Sequence, residues 1–202
     1  MKGLLLKDLM VLKQQSKIFL LVVALWLGLT VVNRDANFFG GVMMMLSVLV
    51  PVFAMAYDEK ARWDRYVLTM PVSKKDLVYC KYILMLTGAV LGAFISEIVS
   101  VVLTKDVRNS LMMTMVFLSL GVILASVILP IFFRFGVEKG RLIMFLFFML
   151  PSVGAVILSR LGIKLPDAET IEKSIMLLPL AAIGAAVLSM WISAGIYSRK
   201  DF

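Results

Sequence analysis

Six apolar runs long enough to cross a bilayer dominate the chain, at residues 18–32, 38–57, 82–103, 110–133, 142–158 and 175–197. A hydrocarbon core needs ~20 residues of helix to span it, and no backbone amide can stay unpaired inside it, so runs of this kind are helices. The first and fifth runs are short, at 15 and 17 residues, and extend into flanking polar residues such as Ser16 and Ser159. Apolar residues make up 61% of the 202, which leaves about 80 for every loop and tail. That excludes a soluble two-domain enzyme and a transporter carrying its own cytosolic ATPase. No internal repeat, low-complexity tract or linker divides the chain. The sequence predicts an all-α integral membrane protein, a single domain over residues 1–202 with six transmembrane helices.

Chemistry is constrained as tightly as shape. The chain has no histidine, which removes the usual zinc hydrolases and every Ser-His or Cys-His mechanism. Its one cysteine, Cys80, has no intrachain disulfide partner. No GxxxxGK[ST] loop and no GxGxxG turn occurs, so no nucleotide site is expected. The expectation is a chain with no catalytic residue, no metal ligands and no cofactor of its own. Lysines precede the run at 18–32, but no small-x-small cleavage site follows it, so that run reads as a retained first span.

The net charge of +8 matters through its location. With the amino terminus inside, the inner segments hold 15 Lys and Arg and the outer segments 6. The bias of basic residues toward the cytoplasm then places both termini inside, in a multi-pass protein of the plasma membrane facing anionic headgroups. The outer loops at 33–37 and 104–109 are tight turns, and the last, at 159–174, has room for a short helix after Pro166. The largest inner segment, Asp58–Lys81, concentrates charge and aromatic residues.

Residues 58–70 read DEKARWDRYVLTM. As a helix, Trp63, Tyr66, Val67 and Met70 share one apolar face, with Arg62, Arg65 and Thr69 on the other side. Pro71 ends that helix and Ser73 starts the next, because Ser73 and Asp76 stand at capping-box spacing with an acid near the positive end of the helix dipole. The plainer reading is a helix lying in the headgroup region with Trp63 and Tyr66 as anchors; the functional one is a docking knob for a cytosolic partner.

A resemblance sharpens that choice. Glu59, Trp63, the string Leu68-Thr69-Met70-Pro71-Val72-Ser73-Lys74, the pair Lys81-Tyr82 and the closing Arg199-Lys200-Asp201-Phe202 together resemble the ABC-2-type transporter permeases, in particular the small six-span subunits of phenol-soluble modulin and other peptide exporters. Met70 stands where leucine is more usual in that family. The resemblance implies an amino-terminal interfacial helix over residues 2–17 and a cytoplasmic coupling helix between spans two and three. It implies coupling residues Glu59, Arg62, Trp63, Arg65, Tyr66, Thr69 and Met70, a separate cytosolic ABC ATPase dimer that binds ATP and magnesium, and a second permease copy or a related permease.

Other features carry less. In residues 2–17, Leu5, Leu9 and Leu12 share a face opposite Lys7, Asp8, Gln14 and Gln15, a pattern that also fits a cytoplasmic extension of span one. Gly88 and Gly92 form a GxxxG motif suited to a close helix contact within the protomer. Pro51, Pro130, Pro151 and Pro179 interrupt spans and read as packing kinks. Methionine clusters at 43–45 and at 112, 113 and 115 read as packing filler. Glu97 is the ionisable residue set well inside a span, a candidate for the substrate pathway or for a hydrogen-bonded tie between helices.

The expected function is the membrane subunit of an ATP-driven exporter of amphipathic peptides or lipid-like molecules, doing no chemistry itself. The alternative is a stand-alone channel or proton-coupled carrier using Glu97. The lack of histidine and of paired intramembrane aspartates argues against an intramembrane enzyme.

Overall fold

The computed structural model describes residues 2–33, 35–67, 73–160 and 168–199, all helical apart from short turns. The helices are α1 (Lys2–Asn33), α2 (Ala36–Lys60), α3 (Trp63–Val67), α4 (Lys74–Thr104), α5 (Val107–Arg160) and α6 (Ala168–Ser198). Among the described residues, five helices are long and apolar enough to cross a membrane.

The longest, α5, is not one straight rod. Gly136 stands at φ 81° and ψ 175°, outside helical geometry. Across a straight helix, eight residues separate two Cα atoms by ~12 Å. Yet a Cβ on Gly140 would lie 3.1 Å from the Phe132 ring. The chain therefore folds back at Gly136, and residues 107–135 and 137–160 are two helical segments. The sharp reversal needs the left-handed backbone that glycine supplies without a Cβ penalty.

The bundle has two ends. At the far end, α1 ends at Asn33 and α2 begins at Ala36, and a turn at 105–106 joins α4 to α5. At the near end lie the α2–α4 connection, the Gly136 reversal and the end of α6, where Lys74 Nζ donates to the Ser198 carbonyl at 3.4 Å. Between them α2 packs against α4 and α5, while α6 packs on α5 and α4. The α2–α4 crossing is close because of its glycines: a Cβ on Gly92 would meet Ser47 Oγ at 2.9 Å, and one on Gly88 would meet Val50 at 3.8 Å. The GxxxG motif thus serves a contact within the protomer. Leu20, Leu21, Leu25, Leu180, Ile183 and Trp191 remain exposed, as expected of helices whose solvent is lipid.

Three expectations change. The interfacial helix is not a separate element, because α1 runs unbroken from Lys2 to Asn33. No proline interrupts it, and its Lys7, Asp8 and Gln15 bond to α2 and α4. Its outward residues there are Leu6, Leu9 and Met10, whereas Asp8 is buried. The helix expected over 58–70 is also divided. Asp58, Glu59 and Lys60 complete α2, Ala61 caps it, and Arg62 takes a positive φ of 50° before α3 begins. Leu68, Thr69, Met70, Pro71 and Val72 lie outside the described residues. Finally, the segment after Pro166 is no isolated short helix, since Ala168 already opens the 31-residue α6.

Candidate coupling site

The near end is organised by four ionisable side chains that three helices bring together. Asp8 of α1 and Lys81 of α4 are 1% and 6% exposed. Lys81 Nζ donates to Asp8 Oδ1 and Oδ2 at 2.9 and 2.8 Å and to Asp58 Oδ2 at 2.7 Å. Lys7 bridges the same two acids, reaching Asp8 Oδ1 at 3.0 Å and pairing with Asp58 Oδ1. Charges of this kind are tolerated out of water only when paired and fully hydrogen-bonded, and here two cations face two anions. The Cys80 thiol adds a long contact to Asp8 at 3.6 Å. Gln15 of α1 donates to the Tyr57 hydroxyl at 2.7 Å, a second polar tie between α1 and α2.

The next residue after Lys81 fastens the opposite side of α4. The Tyr82 hydroxyl lies within hydrogen-bond distance of Ser189 Oγ and, at 2.8 Å, of Ser193 Oγ on α6. Ser189 in turn donates to the Ser126 carbonyl of α5. Adjacent residues on a helix point ~100° apart, so Lys81-Tyr82 ties α4 to α1 and α2 on one side and to α5 and α6 on the other.

α3 abuts this cluster. Lys7 Nζ sits 4.7 Å from the centre of the Trp63 ring, in cation–π reach. Trp63 and Tyr66 stack at 6.1 Å between centroids. Val67 is fully buried in the core, whereas Tyr66 is 64% exposed and Arg62 is exposed beside it. The expected apolar face is therefore split: Val67 seats α3, Trp63 leans on Lys7, and Tyr66 presents its ring outward. The Arg65 side chain, Thr69 and Met70 lie outside what is described.

Glu59 does something the sequence did not indicate. Its Oε2 accepts the Val137 backbone N–H, the first donor after the Gly136 reversal. It therefore caps the second segment of α5, compensating an amide that the reversal leaves without a helical partner. A Cβ on Gly136 would lie 3.0 Å from Glu59 Oε1, so glycine is required there on two grounds. Ser73 and Asp76 form the expected capping box, with Asp76 N donating to Ser73 Oγ at 3.1 Å and Ser73 N to Asp76 Oδ2 at 3.3 Å.

Glu97 lies far from all of this, toward the other end of α4. Both carboxylate oxygens are buried without a hydrogen-bond partner among the described residues. The neighbouring Ser96 lines a water-sized void between α2, α4 and α5, together with Met43 and Met44. Glu97 is not among that void's lining residues. Met43 fills the core there, whereas Met112, Met113 and Met115 are exposed.

Asp8, Asp58 and the Tyr82–Ser189–Ser193 contacts were missed by sequence reasoning. Lys81-Tyr82 was conspicuous as a pair, and a lone acid in an otherwise apolar and basic helix was the available signal for Asp8.

Long apolar helices, a buried polar junction at one end and lipid-facing leucines define a multi-pass, all-helical membrane protein. A family model described as ABC-2 family transporter protein matches residues 3–198. The chain belongs to that family, and is accordingly a transmembrane transport subunit. Members of the family generally work with an ATPase partner and often form dimers. Comparison with curated proteins and with solved structures finds no match.

Proposed function

We propose that this chain is the permease subunit of an ATP-driven exporter of amphipathic peptides or lipid-like molecules. A separate cytosolic ATPase dimer, holding ATP and magnesium, docks on the segment around α3. Two copies, or this chain and a related permease, form the pathway in the plasma membrane, with six spans and both termini cytoplasmic. The near end then faces the cytoplasm. The observation that carries this reading is the position of α3: Tyr66 and Arg62 are exposed, while Trp63 and Val67 lean on the buried junction of α1, α2 and α4. A push on α3 has a short route into three helices through Lys7, and nucleotide binding in the partner biases inward-open against outward-open arrangements. Glu59 also holds the Gly136 reversal through the Val137 amide.

Glu97 supports a second role on the same pathway or, in the alternative reading, a proton-coupled carrier. Two buried carboxylate oxygens with no hydrogen-bond partner among the described residues single Glu97 out as the polar group inside α4.

Charge reversal of Arg62 and Arg65 tests the docking. The ATPase is expected to separate from the permease during purification, while the permease stays monodisperse. Retention of the ATPase at wild-type stoichiometry, with unchanged transport-linked hydrolysis, would reduce α3 to a membrane anchor.

A further inference from the structure

A cavity of ≈ 150 Å³ opens beside the charge cluster, where α2, α4, both segments of α5 and α6 converge. Cavities of about this size hold a benzene-sized body. One part of its wall is apolar and aromatic, with Leu77, Phe132, Phe133, Val137 and Tyr197 all buried. The other part carries Asp58, Glu59 and Lys81. An ammonium has three donors, and Lys81 commits all of them to Asp8 and Asp58. It has nothing left for an anionic ligand. Each carboxylate, in contrast, has about four lone-pair sites. Asp58 receives two lysine bonds, and Glu59 receives the single Val137 amide on Oε2. Lys7 and Lys81 balance Asp8 and Asp58, so the remaining negative charge at the cavity is that of the exposed Glu59. The cavity thus offers carboxylate acceptors with open lone pairs, Glu59 standing at its mouth, next to aromatic rings.

A second hollow, ≈ 570 Å³ in volume, lies on the other side of Glu59 and shares Glu59 and Val137 as lining. Its walls include Gln15, Lys60, Glu138 and Arg141, of which the last three are exposed. Glu59 is itself exposed and shares this hollow with Lys60, Glu138 and Arg141, so it stands at the mouth between the two spaces. The outer hollow supplies the approach from the aqueous side.

From this geometry we infer that the inner cavity is a binding site for an alkylammonium group: a primary amine carried on a short apolar stem. The ammonium pairs with Glu59 and Asp58, and the stem packs on Phe132, Phe133 and Tyr197, whose ring faces also favour a cation. The site deepens the transport reading by naming a substrate class, amphiphiles that bear an amine. Its binding is measured without the ATPase, so failure of this inference leaves the docking reading intact, and failure of docking leaves this site intact.

The test uses the purified full chain in phosphatidylcholine nanodiscs, with pentylammonium, pentanoate and pentanol as probes in equilibrium dialysis. Pentylammonium should bind saturably, one per chain, at least tenfold more tightly than either of the other probes. Glu59→Gln keeps an oxygen for the Val137 amide and removes the charge, and should weaken binding at least tenfold. Met55→Lys places a tethered ammonium in the cavity wall and should abolish binding while the protein remains folded by circular dichroism. Adding phosphatidylethanolamine to the nanodiscs identifies the source of the amine. Competition points to the lipid headgroup, and unchanged affinity points to a soluble amine. Non-saturable uptake, equal binding of pentanol or pentanoate, or unchanged affinity in both variants would overturn the assignment.

Discussion

Lys81→Met probes the junction that joins α1, α2 and α4. The substitution removes three N–H donors and one positive charge while keeping most of the stem. It leaves Lys7 alone against Asp8 and Asp58, with Asp8 1% exposed and therefore unable to recover its charge balance from water. Breaking a buried pair by deleting one partner costs about 3–5 kcal/mol. The residual contact of Lys7 with Asp8 at 3.0 Å places the expected loss toward the lower figure. At 1.4 kcal/mol per decade, a loss of about 3 kcal/mol changes the unfolding equilibrium by roughly two powers of ten. Asp8→Asn in the same background removes the orphaned charge, so the double variant should recover part of the loss. That is a positive coupling of about 0.5–3 kcal/mol in a double-mutant cycle. The assay is equilibrium unfolding of purified protein in mixed micelles, followed by far-ultraviolet circular dichroism. A Lys81→Met protein as stable as the wild type, or strictly additive losses in the double variant, would refute the idea that these charges depend on one another.

Other expectations follow from single positions. Gly136→Ala forces a Cβ into a backbone of φ 81° and within 3.0 Å of Glu59, and should cost at least about 1–2 kcal/mol in the same unfolding assay. Tyr82→Phe leaves Ser189 and Ser193 without their shared hydroxyl partner and should cost about 1–3 kcal/mol, with Ser193→Ala in the same chain adding less than it does alone. Single cysteines at Asn37 and Ala168, in a Cys80-free background, should label from outside with an impermeant maleimide, and one at Arg62 only after permeabilisation. Glu97→Gln should leave expression and ATPase docking unchanged but weaken export measured in vesicles; loss of folded protein would instead assign Glu97 a structural role.

What was legible in the sequence was local or periodic. The apolar runs mark the helices because their length is set by the bilayer. The Ser73–Asp76 capping box is readable because both bonds form within one turn. The break at Arg62 was not, because nothing but the backbone marks it: the apolar spacing of Trp63, Tyr66 and Val67 continues an ideal helix back through Asp58. Gly136 was equally opaque, one glycine after Phe133-Arg134-Phe135, in a segment where glycine also serves helix packing. Asp8 was hidden by distance, since its partner Lys81 lies 73 positions away, and its burial reverses the orientation that the amphipathic pattern of residues 2–17 suggested. The bond from Glu59 to the Gly136 reversal was hidden because its partner is an amide 78 positions along the chain.

The most direct test of ATP-driven transport through α3 is a photocrosslink from Tyr66. A photoreactive amino acid replaces Tyr66 in the permease co-expressed with a candidate ABC ATPase subunit, and Leu91, an exposed α4 residue, serves as the lipid-facing control. Irradiation should join position 66 to the ATPase, in an amount that changes between nucleotide-free and ATP-bound membranes, while position 91 yields no ATPase adduct. An absence of any ATPase adduct at position 66, with the two proteins still co-purifying, would place the docking surface elsewhere and contradict the coupling role of α3.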